Sequence, residues 1–362
     1  MSKLDELIAK LCPNGVAFKE LKQVLKIRNG KDYKHLSEGN IPVYGSGGVM
    51  TYVNEYAYDK PSVLIPRKGS IDKLYYVDIP FWTVDTIFYT EINTNIIEPK
   101  YVFYVLQKMH LEKLNTAGGV PSLTQSLLNS VKLPVPPLEV QREIVRVLDN
   151  FTFLTAELTA ELTARRKQYE LYRNKLMTFD TNVVAIPLVD IAEVGTGTSN
   201  TNEAVENGKY PFFVRSQKPL LKNKYEYDET AIITAGDGVG VGKVFHFVEG
   251  KYALHQRAYR IHIVDKRILS KYAFYYIQTK FYDYISKAGF HSSVSSIRRP
   301  MLNAFEIPAP SLSMQEKIIK VLDNFDAVCN DISIGLPAEI AARQKQYEYY
   351  RDKLLTFKEL NA

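Results

Sequence analysis

Val147-Leu148-Asp149-Asn150-Phe151 recurs as Val321-Leu322-Asp323-Asn324-Phe325, and this recurrence decides the fold. Downstream, Lys167-Gln168-Tyr169-Glu170 returns as Lys345-Gln346-Tyr347-Glu348. The tails match as well: Tyr172-Arg173, Lys175-Leu176 and Thr178-Phe179 against Tyr350-Arg351, Lys353-Leu354 and Thr356-Phe357. A proline-rich hinge precedes each block, Leu133-Pro134-Val135-Pro136-Pro137 and Ile307-Pro308-Ala309-Pro310. Long identical runs at matching places in two halves mean an internal duplication.

Both blocks predict long amphipathic helices, because apolar residues recur at a spacing of three or four. The stripes predict that the two helices pair with each other, through Val147, Phe151, Leu154 and Leu158 on one and Val321, Phe325, Val328 and Ile332 on the other. The second block is four residues longer between its matching runs. Four residues make about one helical turn, so the insertion is expected to add length without rotating the apolar face. Pro337 lies inside the insertion and is expected to kink or interrupt the helix.

Working outward, residues 20–137 and 181–310 are poor in helical periodicity and rich in strand formers and turns. Their weaker similarity stays in register: Tyr58-Asp59-Lys60 parallels Tyr227-Asp228-Glu229, and Tyr101-Val102-Phe103-Tyr104 parallels Tyr272-Ala273-Phe274-Tyr275. Gly118-Gly119-Val120-Pro121-Ser122 takes the place of Gly289-Phe290-His291-Ser292-Ser293. The expected class is α+β: two similar mixed α/β lobes separated by two long antiparallel helices, with an internal pseudo-two-fold duplication. The divisions fall at 1–137 (1–20 an N-terminal segment), 138–180, 181–310 and 311–362. One helix is expected inside each lobe, at about 99–115 and 269–288.

The chain has 362 residues, enough for two lobes with cores of their own. Lysine and arginine number 46 against 40 acidic residues, a net charge of +6 that suits a polyanionic partner without requiring one. Tyrosine is abundant, 25 against a single tryptophan, and its ring and hydroxyl suit wet interfaces. Cys12 and Cys329 are the two cysteines, too isolated for a disulfide framework or a zinc site. The amino-terminal stretch lacks a signal peptide's apolar core, and no run of about 18 apolar residues marks a membrane span. A cytoplasmic protein is expected.

Motifs that promise catalysis fail on inspection. Gly236-Asp237-Gly238-Val239-Gly240-Val241-Gly242-Lys243 resembles a phosphate-binding loop. However, Asp237 stands where the first glycine belongs, Val244 follows the lysine, and Phe245-His246-Phe247 continues as strand rather than helix. A hairpin with an exposed loop is expected there, with Pro66-Arg67-Lys68-Gly69-Ser70 at the corresponding spot of the first lobe. Asp237 with Glu249-Gly250-Lys251 resembles a nuclease constellation, but the first lobe offers Asp78-Ile79-Pro80 and no lysine. No Asn-Pro-Pro-Tyr or Asp-Pro-Pro-Tyr run stands ready for a flipped base. His255 and His291 have no metal-binding partners in sequence. No catalytic residue, cofactor or metal ligand is expected.

Polar and basic loops remain as candidate DNA contacts. In the first lobe these are Lys31, Tyr44, Ser46, Arg67 and Lys68, with Gly118-Gly119 nearby. In the second they are Arg215, Ser216, Gln217, Lys218, Lys243, Gln256, Arg257, Ser292, Ser293, Arg298 and Arg299. Arginine and glutamine read guanine and adenine edges through paired hydrogen bonds, whereas lysine, serine and glycine amides hold phosphates.

The two copies of Leu-x-x-Gln-x-x-Ile-(Val/Ile)-x-Val-Leu-Asp-Asn-Phe, at 138–151 and 312–325, resemble the specificity subunits of type I restriction-modification systems. The Lys-Gln-Tyr-Glu tails, the proline hinges and the opening Leu11-Cys12-Pro13-Asn14-Gly15-Val16 resemble that family too. The resemblance covers the whole chain, in the order target-recognition domain, helix, target-recognition domain, helix. It implies a subunit without an active site that recognises a bipartite sequence in double-stranded DNA, each lobe reading one half. It also implies two methyltransferase subunits, carrying S-adenosylmethionine, and ATP-using endonuclease/translocase subunits as partners, with no membrane association. Pro337 departs from any family feature that these residues explain.

Helix length agrees with a spacer role. About 35 helical residues span roughly 50 Å, on the order of 15 base pairs along a duplex. The competing expectation is a tandem-repeat scaffold that binds protein and never touches DNA, recognisable by basic residues scattered over the lobes rather than gathered.

Overall fold

The computed structural model describes residues 3–115, 120–287 and 296–360. The first lobe opens with helix α1 (Lys3–Leu11), strand β1 (Phe18–Glu20), the single-turn α2 (Leu21–Val24) and β2 (Leu25–Asn29). There follow β3 (Glu38–Gly45), β4 (Gly48–Val53), β5 (Ser62–Pro66), β6 (Tyr75–Val77), β7 (Trp82–Thr83) and β8 (Ile87–Ile92). It closes with α3 (Pro99–Met109), α4 (Gln125–Asn129) and β9 (Lys132–Pro134). Helix α5 (Leu138–Leu176) then runs without a break for 39 residues.

The second lobe repeats the scheme: β10 (Ala185–Pro187), α6 (Leu188–Ile191), β11 (Ala192–Thr196), β12 (Tyr210–Phe213) and β13 (Leu220–Lys222). Next come β14 (Tyr227–Ala235), β15 (Phe245–Leu254), β16 (Ala258–Ile263), α7 (Ser270–Lys287), α8 (Arg299–Asn303) and β17 (Glu306–Pro308). The chain ends in α9 (Leu312–Asn330) and α10 (Leu336–Leu354). None of the described helices is long and apolar enough to cross a membrane.

The duplication is written into the sheets. In the second lobe the strand order is β11-β16-β14-β15-β12-β13. In the first it is β2-β8-β5-β6 in one sheet and β4-β3-β7 in another, the same order with the counterpart of β15 cut into β6 and β7. The parallel pairing of β3 with β7 through Val43 and Trp82 matches that of β12 with β15 through Phe212 and Ala253. The cut falls at Asp78-Ile79-Pro80, where proline has no N–H to give to a ladder. The second lobe carries Glu249-Gly250-Lys251 there and its strand continues.

The chain divides into two compact units: the residues up to Thr159 with those from Glu339 onward, and Ala160–Ala338. Each lobe's core therefore takes the start of one helical block and the end of the other. In the first unit the core holds Val140, Ile144 and Leu148 of α5 together with Leu355, with Tyr347, Leu354 and Phe357 packed against it. In the second it holds Ile318 and Leu322 of α9 together with Tyr169 and Met177. The antiparallel pairing has a repeated aromatic step within each unit. Phe151 stacks on Tyr350 with centroids 5.3 Å apart, and Phe325 stacks on Tyr172 at 5.6 Å. Between these anchors the middle of α5, from Thr152 to Gln168, buries no side chain fully.

The repeated Leu-x-x-Gln element is a joint. Gln141 is fully buried; its Oε1 accepts from the Glu98 N–H at 2.8 Å, and its Nε2 donates to the Ile96 and Pro136 carbonyls at 3.1 and 2.6 Å. Gln315, equally buried, accepts from the Leu269 N–H at 2.8 Å and donates to the Arg267 and Pro310 carbonyls at 2.8 and 2.9 Å. One amide thus ties the start of a lobe helix, α3 or α7, to the proline hinge. The Tyr101 and Tyr272 hydroxyls add bonds to the Pro134 and Pro308 carbonyls at 3.2 and 3.0 Å. One turn further, Tyr104 donates to Asp149 at 2.6 Å, and Tyr275 donates to Asp323. The tails also repeat: the Val16 N–H bonds the Lys358 carbonyl at 2.9 Å as the Val183 N–H bonds that of Asp180 at 3.1 Å.

Sequence expectations meet three differences. The second block is two helices, because the chain turns at Asp331–Gly335. The Asp331 carboxylate takes the Ser333 and Ile334 N–H groups at 2.7 and 3.2 Å, so the insertion is spent in a turn rather than in a helical repeat. Pro337 sits in the first turn of α10, where its missing N–H costs no helical bond. The lobe helix expected over 99–115 ends at Met109, where His110 takes φ 52° and a 3₁₀ turn follows over Leu111–Leu114. Of the expected pairing residues, Phe151 and Phe325 make the stacks, while Val147 and Leu158 are half-buried. Leu154, Val321 and Val328 are exposed, and Ile332 lies in the Asp331–Gly335 turn, outside the helices.

Two tests follow. Gln141→Leu strands an N–H and two carbonyls in the first unit's interior and is expected to cost about 3 kcal/mol, read by denaturant unfolding. Glu143, buried at the α5 start, is bonded by Arg146 at 2.6 Å and by Lys3 of α1 at 3.1 Å. The Arg146 guanidinium, aided by Lys3 and opposed by burial, holds its carboxyl down at about 2. A depressed carboxyl stabilises above its ordinary range near 4.3 and loses the contribution as pH falls through the folded value. The stability deficit of Glu143→Gln is therefore expected in full at pH 7 and to fade between about pH 4.3 and 2, measured by urea midpoints across that window.

Candidate DNA interface

In the second lobe, four loops converge on one carboxylate. The turn after β14, Gly236-Asp237-Gly238, leads into a 3₁₀ turn over Gly238–Gly240 before β15 begins. Gly238 adopts φ 78°, a left-handed conformation that suits glycine. Asp237 meets Arg215, from the loop after β12, at 2.5 Å, and Arg257, from the tight β15–β16 turn, at 3.4 Å. Its backbone bridges Ser296, and the Ile297 N–H donates to the Gly236 carbonyl at 2.8 Å, which brings in the approach to α8.

Asp237 divides two depressions. One, about 480 Å³, is lined by Arg215, Ser216, Thr201, Leu220 and the Gly238–Gly240 turn. The other, about 250 Å³, is lined by Gln256, Arg257, Tyr259, Ser296 and Arg298. Gln256 is fixed by a bond from its Nε2 to Asn200 at 2.6 Å, and the Arg257 N–H donates to His255 Nδ1 at 3.0 Å. Burial, reinforced by the Arg215 and Arg257 charges and opposed by Asp237, pushes the His255 imidazole below its ordinary range. Val239, at the tip of the turn, is 98% exposed.

Of the expected second-lobe contacts, Arg215, Ser216, Gln256, Arg257 and Arg298 come together here. Gln217 and Lys218 are exposed in the same loop as Arg215. Arg299 is exposed as the first residue of α8. Lys243 stands apart, its ammonium 5.7 Å from the Tyr282 ring centroid of α7. Ser292, Ser293 and His291 lie outside the described residues, as do Gly118 and Gly119 of the first lobe.

The first lobe builds the same turn from different residues. Gly69 takes φ 81°, Lys68 bridges Ser122, and the Leu123 N–H donates to the Arg67 carbonyl at 2.9 Å. Arg67-Lys68-Gly69 therefore occupies the place of Gly236-Asp237-Gly238. Thr86 ties this turn to the β3–β4 turn: its carbonyl accepts from the Arg67 N–H at 2.8 Å and its Oγ1 from the Ser46 N–H at 3.4 Å. The Arg67 guanidinium stands 5.8 Å from the Phe88 ring centroid. Lys31 is exposed, its N–H bonding the Thr83 carbonyl of β7 at 2.8 Å. Tyr44 is half-buried among Tyr75 and Phe81, and burial pushes its hydroxyl above the ordinary phenol range.

Nothing in sequence brings Asp237 to arginines 22 and 20 residues away. Its one signal, the glycine run, points toward phosphate chemistry that the fold does not build. A glycine-flanked strand end closing onto basic loops suits contact with a polyanion, and the guanidinium forks suit flat polar edges.

A family model of the type I restriction modification DNA specificity domain matches residues 13–165 and again 181–342. The chain belongs to that family. It is 30% identical over 350 residues to a putative type I restriction enzyme specificity subunit of Haemophilus influenzae, covering 88% of this chain and 89% of that one. It is 29% identical over 394 residues to the Escherichia coli EcoR124I/EcoR124II specificity subunit, covering 98% and 96%. Its fold is similar to the crystal structure of a type I restriction-modification S subunit from M. genitalium, with TM-score 0.67 and 14% identity over 94% of this chain and 96% of that one. Membership in this specificity family agrees with two like lobes whose frames match and whose loops differ.

Proposed function

We propose that this chain gives a type I restriction-modification complex its DNA sequence specificity, with each lobe reading one half of a bipartite duplex target. The observation that carries this is the contrast between frame and surface. The two lobes share strand order, joint and positive-φ turn, yet the turn carries Lys68 in one and Asp237 in the other. Two different base sequences read by one fold require that contrast. Arg215, Arg257 and Arg298 come together at one turn of the second lobe, and Arg67 and Lys68 stand at the corresponding turn of the first, which favours DNA over a protein-only scaffold role.

The helices are the spacer and the docking frame. A 39-residue α5 is about 58 Å long, on the order of 17 base pairs of duplex. Its exposed apolar side chains, Phe153 and Leu154 in the first unit and Leu171 and Tyr172 in the second, suit partner subunits. In the second unit, Val321, Phe325 and Val328 with Glu161 and Arg165 line a hollow of about 500 Å³. Two methyltransferase subunits supply the adenine chemistry, and endonuclease/translocase subunits join them for restriction; this chain contributes no reacting group.

The test is to co-express the chain with its methyltransferase subunit and map methylated adenines by long-read sequencing. One bipartite motif, absent without this chain, is expected. Removing one helical turn of α5 at 158–161 is expected to shorten the gap between half-sites by about two base pairs while both halves persist. Co-purification without any new methylation, or an unchanged gap in the shortened helix, contradicts the reading.

A further inference from the structure

We infer that Asp237 is a specificity-determining positioning residue of the second lobe, holding Arg215 and Arg257 as a preset pair that reads base edges; this rests on the DNA-reading role proposed above. A carboxylate at the centre of a DNA-facing group weakens attraction to phosphate, so its presence calls for a compensating task. The fold does not need it: the same turn, with the same positive-φ glycine and the same bridge to a serine, is built in the first lobe around Lys68. Lys68 makes no ion pair among the described residues, whereas Asp237 makes two.

The task is geometric. Arg215 and Arg257 come from separate loops and repel each other, and without an anion between them each swings freely on a long flexible stem. Asp237 accepts from Nη1 of both, at 2.5 and 3.4 Å, and stands between the two depressions they line. Held this way, each guanidinium keeps donor N–H groups for a flat acceptor pair such as guanine O6 and N7. A lysine holding a phosphate as a point charge needs no such restraint, whereas a guanidinium fork held in one orientation adds geometric specificity. The glycine run that lacks the marks of a nucleotide site thereby acquires a role: Gly238, at φ 78°, lets the chain turn directly after the carboxylate, and a Cβ there would already stand 4.0 Å from Arg215 Nη1.

The experiment maps methylated adenines in the assembled complex carrying Asp237→Asn, Arg215→Gln or Arg257→Gln. Asp237→Asn keeps size and removes charge. It is expected to lower discrimination about tenfold at one or two positions of the second half-site, with the first half-site and the gap unchanged. The two arginine variants, at exposed side chains, are expected to relax the same positions. An intact second half-site in Asp237→Asn overturns the inference. So does an intact second half-site in both arginine variants, which settles the matter if Asp237→Asn does not fold. A merely structural role lowers total methylation without changing the motif and also counts against it. If the unaltered chain yields no bipartite motif, the proposed function itself has failed, which is a different result.

Discussion

Each lobe hangs on a single buried amide. Gln141 and Gln315 sit where a lobe helix begins, where a proline hinge ends and where a long helix starts, and each satisfies one N–H and two carbonyls that have no other partner there. Prolines in the hinge remove donors from the backbone, so its carbonyls must find side-chain donors or stay unpaired at considerable cost. A primary amide is the one neutral side chain able to accept from a helix start while donating both to the chain leading into that helix and to a hinge. Together with the Tyr–Asp bond one turn later, it fixes the lobe to the helix as a rigid corner.

That corner explains why the repeated residues are repeated and why so much else differs. Gln and Asp in the first half of each block hold the adjoining lobe, while Phe meets the Tyr of the other block's tail crosswise: each unit combines the beginning of one block with the end of the other. A change in one copy would disturb contacts with its opposite number, so the frame varies little between copies. The loops beyond the strand ends carry no such duty. There the same backbone turn tolerates lysine or aspartate, because a positive-φ glycine and two backbone bonds define its path and leave the side chain to face solvent.

The repeats, the hinges and the mixed lobes are legible in the sequence because identity and periodicity are local signals. The Asp331–Gly335 turn is not: a four-residue insertion has the length of a helical turn, and only the Asp331 carboxylate capping two following N–H groups diverts it. The strand order emerges from pairing, which sequence reports weakly, and the division of the β15 counterpart rests on Pro80. Among candidate contacts, arginine and glutamine in loops were readable by residue type. Their gathering around Asp237 depends on loops far apart in the chain, and the half-burial of Tyr44 among Tyr75 and Phe81 depends on sheet packing. Ser292 and Ser293 lie outside the described residues.

The central claim is that two interchangeable joints carry two independent readers, and replacing one reader tests it most directly. Residues 25–131, which carry the lobe side of the first corner at Ile96, Glu98, Tyr101 and Tyr104, can be exchanged for the corresponding segment of a relative with a different target, and the methylated motif of the assembled complex mapped. The account predicts that the first half of the motif changes to the donor's while the second half and the gap stay as they were. A motif in which both halves change, or neither does, would contradict it.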